Sequence, residues 1–416
     1  MGFTYKNRRL HCDDVDLETI ADLHGTPSYV YSESILKRNA EVLKNCFIDR
    51  GFQVSYAMKA NANPTILKLF KSYGMGVDIV SAGEYQMAKH VGFQGSEINF
   101  AGVGKTDEEL ALALQDNIAH FNVESLFELE HLEAQTARLG SKANVLLRLN
   151  PDIDPQTHPH ISTGLKQNKF GMGADLVTHI LTHAKDYPHI NFDGLHCHIG
   201  SQILNPQPFL DLIDYLQIYT NNLQSAGVSL THLDLGGGFG VNYENPFEDI
   251  LQTTPYLETY AESAHDKLGK YQLHIQPGRV LVANSAVLLS RVLGIKENGD
   301  HHFVVIDGAT TDLIRPALYS AYHEVTSHLE KDNTRSGDVV GPVCESSDAL
   351  AKDRDLPEYA SGDLLTIASA GAYASSMGST YNMRPRSPEV LVKSDGTIDL
   401  IKRRQTFSEM ISLYSL

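Results

Sequence analysis

Lys59 stands in the run Val-Ser-Tyr-Ala-Met-Lys-Ala-Asn-Ala-Asn that spans residues 54–63. A short apolar stretch there delivers one amine just before Asn61, Asn63 and Pro64 break the pattern. Strand alternation puts Tyr56 and Met58 on one side and Ala57 and Lys59 on the other. A primary amine held at a strand end can form an imine with a carbonyl group. The bland alternative for a lone lysine in that place is a solvated charge.

Other residues suited to holding an anion lie downstream. The run Leu-Asp-Leu-Gly-Gly-Gly-Phe-Gly at 233–240 sets Gly236, Gly237 and Gly238 side by side. Bare backbone N–H groups of that kind can approach a phosphate closely, and a tight turn without a ligand would use the same residues. Counting G-x-G-x-x-G from Gly236 puts Val241 at the last position, so the dinucleotide fingerprint is not met. A second glycine turn, Gln276-Pro-Gly278-Arg279, follows forty residues later. In His196-Cys197-His198, alternation puts both imidazoles on one side. Two imidazoles could serve a metal, but no carboxylate or cysteine is spaced to complete the set, so no metal site is expected. A ring-stacked or hydrogen-bonded histidine pair is the expectation instead. Ser201, just beyond, can donate to a phosphate or merely close a turn.

Nearer the C-terminus, Arg315 and Tyr319 are four residues apart and share a face if the segment is helical. An arginine fork binds a carboxylate bidentately. The stretch 341–348 offers the Cys344 thiol beside Glu345, and Tyr373 follows a run of small residues. Taken singly, each of these reads as structural.

The elements that must position these groups repeat one unit, a short apolar run followed by a stretch of period 3.6. The runs are 54–59, 77–81, 98–101, 120–123, 145–150, 192–199, 233–235 and 273–276. Helical stretches such as 65–73, 84–90 and 106–115 lie between them, the last opened by Thr106 and Glu109 at capping-box spacing. Eight alternating units predict an α/β fold, an eight-stranded parallel β/α barrel of TIM type over residues 25–280, with its chemistry at the C-terminal strand ends. Lys59, His198, the 236–238 glycines and residues 276–279 all fall at such ends. The polar stretch 151–172 is long for a loop and is read as a lid over that mouth. Beyond residue 280 the texture becomes β-branched runs with turn residues, as at 286–293, 303–306, 363–369 and 389–392. This predicts a mainly antiparallel β domain over 281–416, joined by residues 1–24.

Composition narrows the class. With 34 Lys and Arg against 51 Asp and Glu, the formal net charge is -17, which argues against nucleic acid or an anionic membrane as partner. Any anionic ligand must therefore be met by local positive groups. The first ten residues lack the apolar core of a signal peptide, and Lys6 occupies the hydroxyl position of a myristoylation motif. Four scattered cysteines, Cys12, Cys46, Cys197 and Cys344, suggest neither a disulfide framework nor a structural zinc site. A cytoplasmic location is expected.

Taken in order along nearly the whole chain, these motifs resemble the fold-type III pyridoxal-phosphate decarboxylases, which share the alanine racemase-like fold, and among them the branch that acts on diaminopimelate. The resemblance rests on Tyr-Ala-Met-Lys-Ala-Asn, His-Cys-His-Ile-Gly-Ser, Asp-Leu-Gly-Gly-Gly-Phe-Gly, Gln-Pro-Gly-Arg, Ile-Arg-Pro-Ala-Leu-Tyr, Cys-Glu-Ser-Ser-Asp and Gly-Ala-Tyr. It implies pyridoxal 5'-phosphate as cofactor, with Lys59 as the imine-forming lysine and His198 stacked on the ring. Ser201, Gly237, Gly238, Gln276, Gly278 and Arg279 would hold the phosphate end or the ring edge. Arg279, Arg315 and Tyr319 would bind the distal end of the substrate, Glu345 its amino group, and Tyr373 would lie near both cofactor and substrate. By the same resemblance Cys344 is a proton donor contributed by a partner subunit, which implies a homodimer with shared active sites. The implied reaction is decarboxylation of meso-2,6-diaminopimelate to L-lysine and carbon dioxide, the last step of lysine biosynthesis.

One residue departs from the pattern. Members of the family carry glutamate before Pro-Gly-Arg, where its charge pairs with the protonated pyridine nitrogen; this chain has Gln276. An amide can hydrogen-bond that nitrogen in either protonation state but cannot balance its charge, so a weaker electron sink is expected. Ornithine, arginine or carboxynorspermidine are the rival substrates; they lack the distal carboxylate that the Arg315 and Tyr319 pair suits. Alanine racemase needs two opposed proton carriers and matches far less of the chain. An attenuated or non-catalytic cofactor-binding homologue is the reading that Gln276 keeps open.

Overall fold

The structure, a computed structural model, describes residues 2–154 and 169–415. It divides into two compact units, one made of residues 40–240 and 250–279, the other of 1–39, 241–249 and 280–416.

The first unit is a closed barrel of eight parallel strands: β1 (Gln53–Ala57), β2 (Gly76–Ile79), β3 (Ile98–Phe100), β4 (His120–Val123), β5 (Ala143–Arg148), β6 (Ile190–His196), β7 (His232–Asp234) and β8 (Gln272–Ile275). Each pairs with its neighbours in sequence, and β8 closes on β1 through His274 to Gln53 and Ile275 to Val54. These are the eight runs the periodicity marks. They read as nearly continuous apolar stretches because barrel walls are covered on both faces, by side chains within and helices without. The helices start where polar caps stand. Asn63 accepts from the Thr65 N–H with Pro64 in the first turn, Ser81 from Glu84, and Ser125 from Glu128. Thr106 and Glu109 form the expected reciprocal box. Gly92 and Gly140 end two helices in the left-handed region.

Most of the expected lid, residues 155–168, lies outside the described residues. The two ends of that connection are tied to each other: Met172 N–H donates to Arg148 O and Asn150 N–H to Met172 O, each at 2.8 Å.

The second unit holds a three-stranded antiparallel sheet, Phe3–Lys6, Arg9–Cys12 and Val15–Asp16, and a nine-stranded mixed sheet. Its central strand, Ala286–Asn298, pairs antiparallel with Ser28–Ser32, Leu364–Ile367 and His301–Ile306. Two pairings are parallel, Ser28–Ser32 with Glu389–Val392 and His301–Ile306 with Thr334–Val340. The sequence places residues 28–32 inside the barrel segment; the structure places them in this sheet. All five are buried, and Val30 joins Val287, Leu289, Val390 and Leu10 in one apolar core that a barrel strand could not reach. No helix among the described residues is long and apolar enough to cross a membrane.

Candidate active site

Lys59 is not on a strand. β1 stops at Ala57, and Met58–Ala60 forms a single 3-10 turn, so the alternation expected to orient the lysine ends two residues short of it. Within that turn Met58 and Ala60 are buried and Lys59 is exposed. The turn is braced rather than loose. Tyr56 Oη donates to Asn61 O at 3.0 Å, Asn63 N–H donates to Asn61 Oδ1 at 3.0 Å, and Ala57 N–H donates to Pro277 O at 3.0 Å. The last of these ties the lysine turn to the turn that carries Gln276, Gly278 and Arg279.

The sixth strand ends at His196, which leaves Cys197 and His198 in the loop beyond it. Nδ1 of His198 accepts the Gly237 N–H at 3.2 Å, so a neutral ring carries its proton on Nε2. Burial, and then the positive charges of Lys59 and Arg148, push the His198 imidazole well below the usual range. The three glycines have a steric reason for being glycines. A Cβ would meet Cys197 O at 2.3 Å from Gly236, Gln276 O at 2.1 Å from Gly237, and Gly200 O at 2.3 Å from Gly238. Gly236 N–H is engaged by Asp234 Oδ1 at 2.8 Å and Gly237 N–H by His198. The loops after β6, β7 and β8 thus interlock through these residues. On the same end of the barrel, buried Arg279 donates to Ser201 Oγ at 2.9 Å, with Gly278 buried beside it.

Gln276 is clamped on both ends of its amide. Nε2 donates to Asp234 Oδ2 at 2.8 Å and to Asp78 Oδ1 at 3.3 Å, and Oε1 lies 3.1 Å from His196 Nε2. Burial raises the Asp78 carboxyl to about 7, opposed by Lys59, and the Asp234 carboxyl to about 8. Two amide orientations satisfy this set. With Asp234 and Asp78 ionised, Nε2 donates to them; with both protonated, a half-turn presents Oε1 to the acids and Nε2 to His196.

In the second unit, Arg315–Tyr319 forms the expected helical turn. Arg315 is buried, with its guanidinium 4.7 Å from the centre of the Tyr243 ring and Nη1 2.7 Å from His323 Nε2. His323 Nδ1 is 2.7 Å from Ala368 O, which fixes the tautomer in which Nε2 accepts from the arginine. Tyr319 is half-buried. Cys344 and Glu345 are both exposed, whereas Cys12, Cys46 and Cys197 are buried. Buried Asp348 shapes the turn that displays them, accepting from Thr310 N–H and Val343 N–H at 2.7 Å each. Tyr373 has φ of 56°, a left-handed conformation uncommon for a bulky residue and concentrated at functional positions.

The structure therefore gathers Lys59, His198, Ser201, Gly237, Gly238, Gln276, Gly278 and Arg279 at the C-terminal end of one barrel. It sets Arg315, Tyr319, Cys344, Glu345 and Tyr373 in the sheet unit. Sequence reasoning missed Asp78, Asp234 and Arg148 at the barrel mouth, and Tyr243, His323 and Asp348 behind the sheet-unit groups. A signal existed for Asp234 and Arg148, since each ends a barrel strand; none existed for the others.

Residues 33–283 match the family described as pyridoxal-dependent decarboxylase, pyridoxal binding domain. The chain is 41% identical to the diaminopimelate decarboxylase of Haemophilus influenzae, covering 99% of each, and 42% identical to that of Pseudomonas aeruginosa, covering 100% of this chain and 99% of the relative. A crystal structure of diaminopimelate decarboxylase from M. jannaschii in co-complex with L-lysine superposes with a TM-score of 0.91 at 35% identity, covering 100% of this chain and 98% of that one.

Proposed function

Since the chain belongs to the pyridoxal-dependent decarboxylases, we propose that it removes one carboxyl group from meso-2,6-diaminopimelate to give L-lysine and carbon dioxide. The observation that carries this reading is the end-to-end likeness to diaminopimelate decarboxylases at about 40% identity, which spans both units and not the cofactor-binding segment alone.

The barrel mouth suits pyridoxal phosphate in the chemistry of its groups. Lys59 offers an exposed amine for the aldehyde, and Arg279 with Ser201 offers a cation and a hydroxyl for the phosphate. Neutral His198 offers a ring for stacking, and Gln276 an amide for the pyridine nitrogen. Gly237, Gly238 and Gly278 let the loops close around these groups. Once bound, the cofactor accepts the electrons released at the α-carbon when carbon dioxide leaves. The chain's own residues do the rest. Arg279, Arg315 and Tyr319 bind the distal amino-acid end, Glu345 its ammonium group, and Tyr373 lines the space near both ligands. Arg315 is prepared for a carboxylate because His323 and Tyr243 hold its fork in place before any ligand arrives. The Cys344 thiol delivers the proton that replaces the lost carboxyl.

Exposure of the Cys344–Glu345 turn supports its use by a second copy of the chain, which gives a homodimer with shared sites. Mixing Lys59→Ala with Cys344→Ala, each inactive alone, should then restore activity, up to about a quarter of that of the unchanged protein if half the sites are intact in hybrids formed at random. No recovery after verified subunit exchange would refute the sharing.

Substrate choice is tested by incubating the protein and pyridoxal phosphate with diaminopimelate, L-ornithine, L-arginine and L-lysine in turn, following amine and carbon dioxide. Diaminopimelate should lead by well over tenfold in kcat/KM, because the rivals leave the Arg315 fork without its carboxylate. Preference for ornithine or arginine would refute the assignment.

A further inference from the structure

Opposite the mouth, the N-terminal end of the barrel carries a second cluster for which the decarboxylation has no use. His120 opens β4, His232 opens β7, Asp193 lies within β6 and His274 within β8. Strands β4 and β8 are on opposite walls of the closed ring, yet the His120 and His274 rings are 5.5 Å apart. These side chains therefore meet in the barrel interior. His232 completes the group, 4.8 Å from the His120 ring and 5.2 Å from that of His274.

The backbone is shaped to hold this cluster. The register of β6 on β5 slips between Phe192 and Gly194, which makes Asp193 the bulged residue and turns its side chain away from ordinary alternation. Gly194 follows because a Cβ there would meet His232 O at 1.9 Å. Thr231 fastens the bulge, its N–H donating to Asp193 O at 2.8 Å and its Oγ1 at 3.1 Å.

The cluster is also unfinished as a hydrogen-bond network. Among the described residues, neither ring nitrogen of fully buried His274 has a hydrogen-bond partner, and neither has Nδ1 of His120. Buried polar atoms without partners are rare enough to point to a missing ion or water. One ligand atom each from His120, Asp193 and His232 lies within 4.8 Å of the others, and His120 Nε2 is 3.3 Å from the Asp193 carboxylate. Ligands about 2.0 Å from a tetrahedral zinc ion stand about 3.3 Å from one another.

We propose that the N-terminal end of the barrel binds one zinc(II) ion through His120, Asp193 and His232, with water as the fourth ligand and the His274 ring packed beside the ion. Imidazole and carboxylate donors suit a borderline divalent metal. Asp193 and His232 are only half-buried, so the ion has a route in from solvent. The ion would fasten β4, β6 and β7 at the end away from the chemistry, which makes its role structural.

The test uses the full chain loaded with pyridoxal phosphate, stripped with a chelator, then titrated with ZnCl2 or CoCl2. One equivalent should bind, cobalt should give the visible d–d absorption of a tetrahedral site without a thiolate charge-transfer band, and zinc should raise Tm. His232→Gln and Asp193→Asn should each weaken binding at least ~10-fold, since loss of even an outer partner of a ligand costs ~10–100-fold. Both should keep the cofactor absorbance and turnover of the unchanged protein. Absence of a one-equivalent site in the unchanged protein, or affinity that survives in both variants, overturns the proposal.

Discussion

Gln276 shows why a residue's meaning depends on what it touches. Read in sequence it is a neutral substitute for glutamate; in the fold its amide bridges Asp234, Asp78 and His196. A glutamate there would add a third carboxyl to two whose carboxyls already lie near 7 and 8. Both values exceed the ~4 of an aspartate in the unfolded chain. The folded state therefore holds extra protons between about pH 4 and 8, and their contribution to stability is lost as pH rises through that window. In Gln276→Glu the loss should be steeper, with Tm falling below that of the unchanged protein between about pH 7 and 8 as the aspartates ionise. At about pH 6.5, where they can still donate to the new carboxylate, the variant should turn over faster, because a carboxylate balances a protonated pyridine and an amide does not. Steady-state kinetics and melts across pH check both; equal or slower turnover at the lower pH contradicts the reading. The amide was legible as a departure, but its partners were not. Asp78 is 198 residues away, and nothing in local spacing joins it to Gln276.

At the level of elements, strands were legible and their ends were not. The barrel strands announce themselves through apolar runs that need no partner to be recognised, and the Thr106 box through a four-residue spacing. Lys59 falls past the end of β1 because Met58–Ala60 turns, and only the bonds from Tyr56 and Ala57 explain that turn. Spacing leaves the 236–238 glycines open between phosphate contact and a tight turn, and the structure adds a steric difference from any other residue type, since a Cβ at each would meet a backbone oxygen of an adjacent loop. That difference has a consequence at Gly237, where a methyl group would sit 2.1 Å from Gln276 O. Gly237→Ala should displace the 276–279 turn, lower stability by about 1–3 kcal/mol and weaken cofactor binding. Equilibrium denaturation and cofactor titration measure this; unchanged values for both would show that the loops do not interlock as described.

For the molecule as a whole, an acidic chain of net charge -17 concentrates Lys59, Arg148 and Arg279 at one end of the barrel, where an anionic cofactor and an amino acid would be met. The two-part organisation was legible from the change of texture near residue 280. Residues 28–32 were not, because their partners at 286–289 and 389–392 are more than two hundred residues away and a short buried strand looks alike in a barrel or a sheet. The histidines at the far end of the barrel escaped for the same reason, each being a single residue on a separate strand. We propose that Lys59 holds the cofactor with which this chain makes lysine from diaminopimelate. The most direct measurement follows lysine and carbon dioxide from diaminopimelate in the unchanged protein and in Lys59→Ala, both supplied with pyridoxal phosphate. The expected result is one lysine per carbon dioxide from the unchanged protein and no more than the free-cofactor background from Lys59→Ala. Equal release from Lys59→Ala, or none from the unchanged protein, would contradict it.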